Sequence, residues 1–286
     1  MRESKDATFR APISVVIPVY NSEATLIRAL DSIARQSLLP SEVVLVDDCS
    51  TDGSIAVCER AKSTFEGSFP IRILPLERNR GPSYARNKGW DLAEGKYVAF
   101  LDADDSWHKE KIRVQWDFME NNPEVSACGH LCGIHQAIVD TTGSIRATVL
   151  HSWRMLLSNP FSTPTVMVRC SRRYRFSEDL RFCEDYHLWL QMALDGLVLA
   201  RLEHELSVLH KERYGDTGLS ADMWKMEKGE LQMYWRLFRE RRIAGIALCF
   251  LIPYSFGKFL RRKLVLLLKS GSRSRGPRRD RRGMHL

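Results

Sequence analysis

Three carboxylates crowd the end of one apolar run in this chain, where Val98 to Leu101 lead straight into Asp102, Asp104 and Asp105. Side chains alternate across a strand, so carboxylates at alternate positions beyond its last residue project to one side of its carboxyl end. Open α/β sheets bind ligands along that edge. Hard oxygen donors of this kind suit Mg2+ or Mn2+, an ion that keeps several waters and bridges to a substrate's phosphates. The same residues also suit a solvated turn in which Asp105 caps a helix starting near Trp107, because helix caps favour Asp. A second acidic pair, Asp47 and Asp48, closes another apolar run from Val43 to Val46. Ser50, Thr51 and Asp52 follow it as candidate caps for a helix reaching Arg60 and Ala61.

The elements that must position these groups are legible upstream. Ile13 to Ile17 read as a strand broken by Pro18, followed by a helix from about Glu23. Three strands each followed by a helix make successive βα units, which implies a parallel sheet with right-handed crossovers and all three strand ends along one edge.

Five segments in order carry a resemblance. They are VVIPVYN at 15–21, VDDCSTDGS at 46–54, NRGPSYARNKG at 79–89, LDADD at 101–105 and CEDYHLWLQM at 183–192. In sequence and spacing they resemble the inverting family-two glycosyltransferases, which have the nucleotide-sugar-binding GT-A fold. The likeness spans about residues 12–215. It implies a single α/β domain with a mostly parallel central sheet flanked by helices, and displacement at an anomeric carbon by an acceptor hydroxyl with a nucleoside diphosphate leaving. Charge builds on the departing diphosphate, so a divalent cation, Mg2+ or Mn2+, is expected there.

By this resemblance Asp104 is the metal ligand, and Asp102 holds the ribose or the metal's water shell. Nucleotide contacts fall on Pro18, Tyr20 and Asp48, with Tyr20 stacking on the base and Asp48 accepting its imino hydrogen; a core role for Tyr20 or a capping role for Asp48 is the alternative. Arg86 matches a position facing the diphosphate, while Gly81 and Gly89 read as backbone-permissive packing positions. Asp185 matches the catalytic base, at the start of a helix whose Leu188, Trp189 and Met192 form the apolar face. A helix N-terminus favours carboxylate over acid, which is expected to keep Asp185 ionised. Glu184 supports it or contacts the acceptor. An ordinary acidic pair at a helix start is the alternative reading of both.

Beyond the base, SVLHKERYGDTGLS has the composition of a lid, with Gly215 and Gly218 among polar residues. His210, Lys211 and Arg213 are its candidates for reaching the diphosphate, although here the chain departs from the family's commonest tyrosine-arginine pattern. Residues 141–165 are expected to line the acceptor site.

Composition bounds the rest. Of 286 residues 44% are hydrophobic and 27% charged, an ordinary globular balance. The segment from Lys258 to Leu286 holds 11 Lys or Arg and one acid, so its +10 against the chain's +8 leaves about −2 for everything else. Seven scattered cysteines argue for a reducing compartment. Cys128, His130, Cys132 and His135 form a CxHxCxxH string in which a zinc site is conceivable, but the paired ligand spacing of such sites is missing and structural residues on a strand are expected.

No signal peptide is visible ahead of the first strand, so the catalytic domain is expected in the cytoplasm. Residues 243–257 are uncharged, yet as a helix they reach only about 22 Å against a hydrocarbon core of ~30 Å, and Pro253 interrupts them. An interfacial element is expected at residues 216–268, with Lys258, Arg261, Arg262 and Lys263 at anionic headgroups. A packed carboxyl-terminal helix pair is the alternative. Residues 269–286 read as a basic disordered tail; nucleic-acid binding would also use such a run, but no aromatic stacking pattern accompanies the arginines.

The expected activity is transfer of a sugar from a nucleotide sugar, a UDP-sugar, to a glycan or lipid-linked acceptor at the cytoplasmic face of a membrane, held peripherally or monotopically. No nucleic-acid partner is expected. The alternative is a non-catalytic sugar-nucleotide-binding or membrane scaffold of the same fold, which would have little reason to keep Asp48, Asp104 and Asp185 together. Neither GxGxxG nor GxxxxGK[ST] occurs, which disfavours dehydrogenases and P-loop enzymes.

Overall fold

A computed structural model of the chain describes residues 9–133, 145–210 and 222–273, with side chains as far as 265. The first half alternates strand and helix: β1 (Ala11–Val19), α1 (Leu26–Ala34), β2 (Pro40–Asp47), α2 (Ser54–Phe65), β3 (Ile71–Pro75), α3 (Pro82–Leu92) and β4 (Tyr97–Phe100). The second half runs β5 (Ser106–Trp107), α4 (Lys111–Asn121), β6 (Val125–Gly133), β7 (Ala147–Leu150), α5 (Ser152–Met155), a 3-10 turn (Thr163–Thr165), β8 (Met167–Arg169), α6 (Glu184–Leu194), β9 (Val198–Val208), α7 (Met223–Arg239) and α8 (Gly245–Arg273).

Among the described residues nine strands form one sheet in the order β3-β2-β1-β4-β8-β6-β9-β5, with β7 beside β9. The long ladders β2–β3, β1–β2, β1–β4 and β6–β9 are parallel, while the short β5, β7 and β8 pair antiparallel. Helices cover both faces, which is why β1, β2 and β4 are nearly continuous apolar runs. Ile13, Val15, Ile17, Val43 and Leu45 face one layer with Leu30, Ile33 and Phe65; Val16, Val44, Val46 and Phe100 face the other with Trp90, Trp189 and Leu237.

Pro18 does not end β1, contrary to the expected break. Val16 accepts from Leu101 and Val19 from Asp48, so Pro18 turns its missing N–H toward the β4 side, where the ladder has stopped at Val16 and Phe100. The expected helix near Trp107 is also corrected. Ser106 and Trp107 pair with Val208 and Ser207 as β5, the Trp107 ring is buried with Nε1 donating to the Pro164 carbonyl at 2.8 Å, and α4 begins only at Lys111. Asp105 therefore caps no helix; its Oδ1 accepts from the His210 N–H at 3.4 Å.

On β6, Cys128 and His130 are core residues. Gln115 Nε2 donates to the Cys128 carbonyl at 3.0 Å, and His130 Nδ1 lies 2.7 Å from the Leu131 carbonyl. Burial pushes His130 down to about 3. Cys132 Sγ is 4.0 Å from Ser162 Oγ, and His135 lies outside the described residues.

The carboxyl-terminal helices α7 and α8 pack on each other and on the globule. Pro253 does not interrupt α8, which spans 29 residues, about 44 Å at ~1.5 Å per residue. Both Pro253 and Cys249, whose carbonyl loses its partner there, lie on the exposed side where that carbonyl can be solvated. Leu248, Leu251, Ser255 and Phe259 form the buried side of α8. Lys258 and Arg262 also turn inward, to Glu230 and Glu227, rather than outward as expected; only Arg261 and Lys263 of the four basic residues are exposed. The inward pair brings counter-charges to two buried carboxylates, Glu227 and Glu230. No helix among the described residues is long and apolar enough to cross a membrane. Helical backbone continues to Arg273, and residues 274–286 lie outside the described residues.

Candidate active site

The carboxyl ends of β1, β2 and β4 converge on one edge. There Tyr20 stands 49% exposed just past β1, while Asp48 is buried just past β2. Asp48 Oδ1 accepts from the Arg80 N–H at 2.8 Å and Oδ2 from the Gly81 N–H at 2.7 Å. Gly81 has φ 87°, a left-handed conformation that favours glycine, and it leads into α3 through Pro82 at the first helical turn. Asp48 thus fixes the turn ahead of α3, and each of its oxygens retains a second lone pair for a ligand. Burial raises its pKa, opposed by those two N–H donors. Gly89 lets α3 approach β1, since a Cβ there would meet Val16 Cγ1 at 2.4 Å.

The loops after β1 and β2 are laced together. Asn21 Oδ1 accepts from the Thr51 N–H at 2.9 Å, Ser54 Oγ from the Ser22 N–H at 2.7 Å, and Glu23 Oε2 from the Gly53 N–H at 3.0 Å. Asp52 holds the start of α2 through the Ser54 N–H at 3.0 Å. Three non-glycine residues with positive φ sit in the site's loops: Asn21 (48°), Cys49 (60°) and Cys183 (59°), the last immediately before Glu184. Strained backbone of this kind persists where surrounding structure over-determines it, as at functional sites.

Arg86 joins the two acidic motifs. Its side chain is 7% exposed, Nη2 donates to Asp102 Oδ1 at 2.7 Å, and Nη1 donates to Glu184 Oε1 at 3.1 Å. A planar guanidinium supplies this two-sided grip where an ammonium would not. The strand-end edge at Asp102 and the Glu184–Asp185 pair, about 80 residues apart in sequence, therefore meet at one buried cation. Arg28 of α1 fixes the neighbouring loop by donating to the Asp104 carbonyl at 2.6 Å.

Asp185 Oδ1 accepts from the Tyr186 N–H at 2.6 Å; Oδ2 is approached by Thr163 Oγ1 at 3.3 Å and Asn159 Nδ2 at 3.5 Å. Burial raises its pKa despite these donors and Arg86. Desolvation of the charge outweighs the helix end. Glu184 is pushed up to about 7, first by burial and then by Asp185. Thr163 and Asn159 lie in the stretch expected to line the acceptor site but were not singled out from sequence. Their signal was a Thr-Pro-Thr turn, in which Pro164 fixes the backbone that aims Thr163 at the carboxylate.

His210 Nε2 is 2.8 Å from Ser106 Oγ, which places it beside the loop carrying Asp102 and Asp104. Burial and the Arg28 charge lower the His210 pKa, and Asp104 opposes this. Lys211, Arg213, Gly215 and Gly218 lie outside the described residues. Among the described residues no three His, Cys, Asp or Glu side chains converge as a closed cation site. An ion bound through one or two carboxylates plus water and phosphate oxygens needs no such closed site, and the Asp102–Asp104 loop could hold one.

The family model described as Glycosyl transferase family 2 matches residues 14–179. The teichuronic acid biosynthesis glycosyltransferase TuaG of Bacillus subtilis, so named putatively, is 29% identical over 236 residues, 80% of this chain and 87% of that protein. An uncharacterised glycosyltransferase of Rickettsia conorii is 33% identical over 210 residues, 68% of this chain, which spans only 32% of that longer protein. Among solved structures, the mannosyltransferase PcManGT of Pyrobaculum calidifontis with GDP-Man and Mn2+ superposes with TM-score 0.63 at 20% identity, over 93% of this chain and 80% of that one. S. aureus TarS 1–349 with UDP-GlcNAc gives 0.61 at 22%, over 77% and 65%. These likenesses show the fold, α/β of the GT-A kind with helices on both sides of a mostly parallel sheet. With its motifs gathered on one sheet edge and the family model covering more than half its length, this chain belongs to glycosyl transferase family 2.

Proposed function

We propose that this protein is an inverting glycosyltransferase that moves a sugar from a UDP-sugar to an acceptor hydroxyl in the synthesis of a cell-surface polysaccharide, lipopolysaccharide or lipid-linked oligosaccharide. The observation that carries the reading is the double grip of Arg86, which sets the donor-side Asp102 and the base-side Glu184 on either side of one guanidinium. The nucleotide's base stacks on Tyr20, with Pro18 and Asp48 at its other contacts. Asp104 would hold Mg2+ or Mn2+, and the chemistry supplied there is neutralisation of charge on the departing diphosphate. Asp185 takes the acceptor proton as the acceptor oxygen bonds to the anomeric carbon and the bond to the diphosphate breaks on the opposite face. A base with raised pKa is a better acceptor once ionised. His210 would contact the diphosphate; Lys211 and Arg213, expected to do the same, lie outside the described residues.

The domain reading is a catalytic unit at 12–215, a membrane-facing helical extension at 216–268 and a basic tail at 269–286. In support of membrane docking, the outer side of α8 carries Ile246 at 70% and Phe250 at 72% exposure, with Leu260 and Leu264 on the same side and Arg261 and Lys263 flanking it. An apolar strip edged by cations lies in the plane of an anionic leaflet rather than across it. Docking on the cytoplasmic face would bring the site to a membrane-confined acceptor, and the teichuronic acid relative is consistent with a polymer product.

The test is incubation of purified protein with a panel of UDP-sugars, Mn2+ and lipid-linked acceptors, with product configuration read by NMR. An α-linked donor is expected to yield a β-linked product, and Asp185→Asn to bind UDP while losing transfer. A retained configuration would sink the single-displacement mechanism, and tight UDP binding without turnover of any donor would favour a sugar-nucleotide-binding scaffold.

A further inference from the structure

The short helix α5 ends in three successive backbone carbonyls, and each is taken by a side chain from a different helix. Tyr186 Oη of α6 donates to the Met155 carbonyl, Tyr234 Oη of α7 to Leu156 at 2.7 Å, and Lys258 Nζ of α8 to Leu157 at 2.9 Å. Helix carboxyl ends leave carbonyls unpaired and favour a cation, so the Lys258 ammonium suits this place. Lys258 is itself held at 2.5 Å by Glu230, whose Oε1 also accepts from Tyr234 Oη at 2.9 Å. Glu227 completes the seam, accepting from Ser255 Oγ at 2.8 Å and from Arg262 at 3.3 Å. Apolar residues in such a seam would serve stability as well or better, because desolvating paired charges offsets their attraction. The ionic seam therefore calls for a geometric role, and Lys258 carries its charge past the seam to the end of α5, beside Tyr234.

What Lys258 reaches is the stretch that touches the base. Beyond Leu157, Asn159 and Thr163 both approach Asp185 Oδ2. Between them Phe161 is wedged so tightly against β6 that a Cβ on Gly129 would lie 2.2 Å from its ring, and it meets Trp189 edge-on at 6.1 Å. Residues 157–163 are thus strung between the carbonyl clamp and that wedge. Tyr186, one clamp donor, is the residue after Asp185.

We infer that Lys258, oriented by Glu230, is a positioning residue for Asp185: it holds the 157–163 segment in the register from which Asn159 and Thr163 donate to the base, so the carboxyl-terminal helix pair is part of the active-site architecture. This rests on the reading of Asp185 as base. The groups facing Asp185 are Glu184 and Cys183 beside it, Arg86 from α3, and Asn159 and Thr163 from the clamped stretch. Slackening the clamp withdraws the last two donors and leaves burial and the other charges in place.

The experiment follows the Asp185 carboxyl by 13C NMR titration, assigned by its loss in Asp185→Asn, in full-length parent, Lys258→Met and Lys258→Arg. Lys258→Met is expected to move the titration upward, Lys258→Arg to restore it, and UDP affinity by calorimetry to stay unchanged in both. Hydrolysis of UDP-GlcNAc, or of whichever UDP-sugar the parent cleaves, should lose about tenfold or more in kcat at constant KM in Lys258→Met, the scale expected for a misplaced catalytic group. If Lys258→Met folds poorly, Glu230→Gln keeps an acceptor for Tyr234 and is expected to shift the titration in the same direction by less. An unmoved Asp185 titration in folded Lys258→Met or Glu230→Gln, or Lys258→Arg behaving like Lys258→Met, overturns the positioning role. Retained transfer by Asp185→Asn alongside a moved titration would instead overturn the base assignment and leave the positioning intact.

Discussion

Replacing Glu184 by Gln should make the protein more stable at alkaline pH, and the size of the gain follows from the site. Glu184 keeps only 13% of its side chain exposed and lies beside Asp185, so its carboxyl is pushed from 4.5 up to about 7 even with Arg86 donating to it. A carboxyl whose folded pKa lies above its unfolded value binds its proton more tightly in the native state. Its favourable contribution is fully present below about pH 4.5 and is lost as pH rises toward about 7. A tenfold difference in proton affinity is worth about 1.4 kcal/mol, so the ceiling is about 3 kcal/mol at pH 8, and the interaction with Asp185 makes about 1–3 kcal/mol the expected range. Gln is neutral at every pH and can still accept from Arg86 through its carbonyl. Urea unfolding of parent and Glu184→Gln at pH 4, 6 and 8 should show curves that coincide at pH 4 and separate by about 1–3 kcal/mol at pH 8, with the variant more stable. At about 2–4 °C per kcal/mol, thermal melts at pH 8 should rise by several degrees. A variant less stable than the parent at pH 8, or a gap that does not grow with pH, would show that the Arg86 pairing outweighs the desolvation and that the electrostatic account of the site is wrong.

Asp104→Ala should leave the melting temperature within about 2 °C of the parent while abolishing the Mn2+ enhancement of UDP binding; equal Mn2+ enhancement in both proteins would remove Asp104 as the ion's ligand. Gly89→Ala should cost about 1–3 kcal/mol in urea unfolding, because its new Cβ meets Val16 Cγ1 at 2.4 Å. A near-neutral result would mean that α3 can move off β1 freely. On α8, Phe250→Asp with Leu260→Asp should abolish co-sedimentation with anionic liposomes without altering UDP affinity, and high salt should weaken but not abolish parent binding. Undiminished sedimentation of the double variant would move the membrane contact elsewhere. Deleting α8 is a poorer test, since Leu251 and Phe259 would leave the packed interior with it.

Local chemistry in the sequence determined the parallel half of the sheet and the edge where the site forms. Apolar runs such as Val43 to Val46 and Val98 to Leu101 must be buried on both faces, helical segments between them force parallel pairing, and acidic residues after each run then share an edge. The separate motifs could be recognised for the same reason: each is a strand end plus its loop, a unit only a few residues long. Tertiary structure alone decided how they combine. Arg86 meeting both Asp102 and Glu184 depends on α3, packed on β1 and β2, bringing it to residues just past β4 and at the start of α6, which no spacing encodes. The short β5 at Ser106 and Trp107 displaced an expected helix start because β9, about 100 residues away, offered it a partner. Pro253 remained inside α8 because it and Cys249 lie on the exposed side, and Lys258 and Arg262 turned inward because α7 presented Glu230 and Glu227 to them. The raised pKa of Asp185 is likewise a property of burial. A helix N-terminus is visible in sequence, but the burial that outweighs the Tyr186, Asn159 and Thr163 donors exists only once the chain has folded.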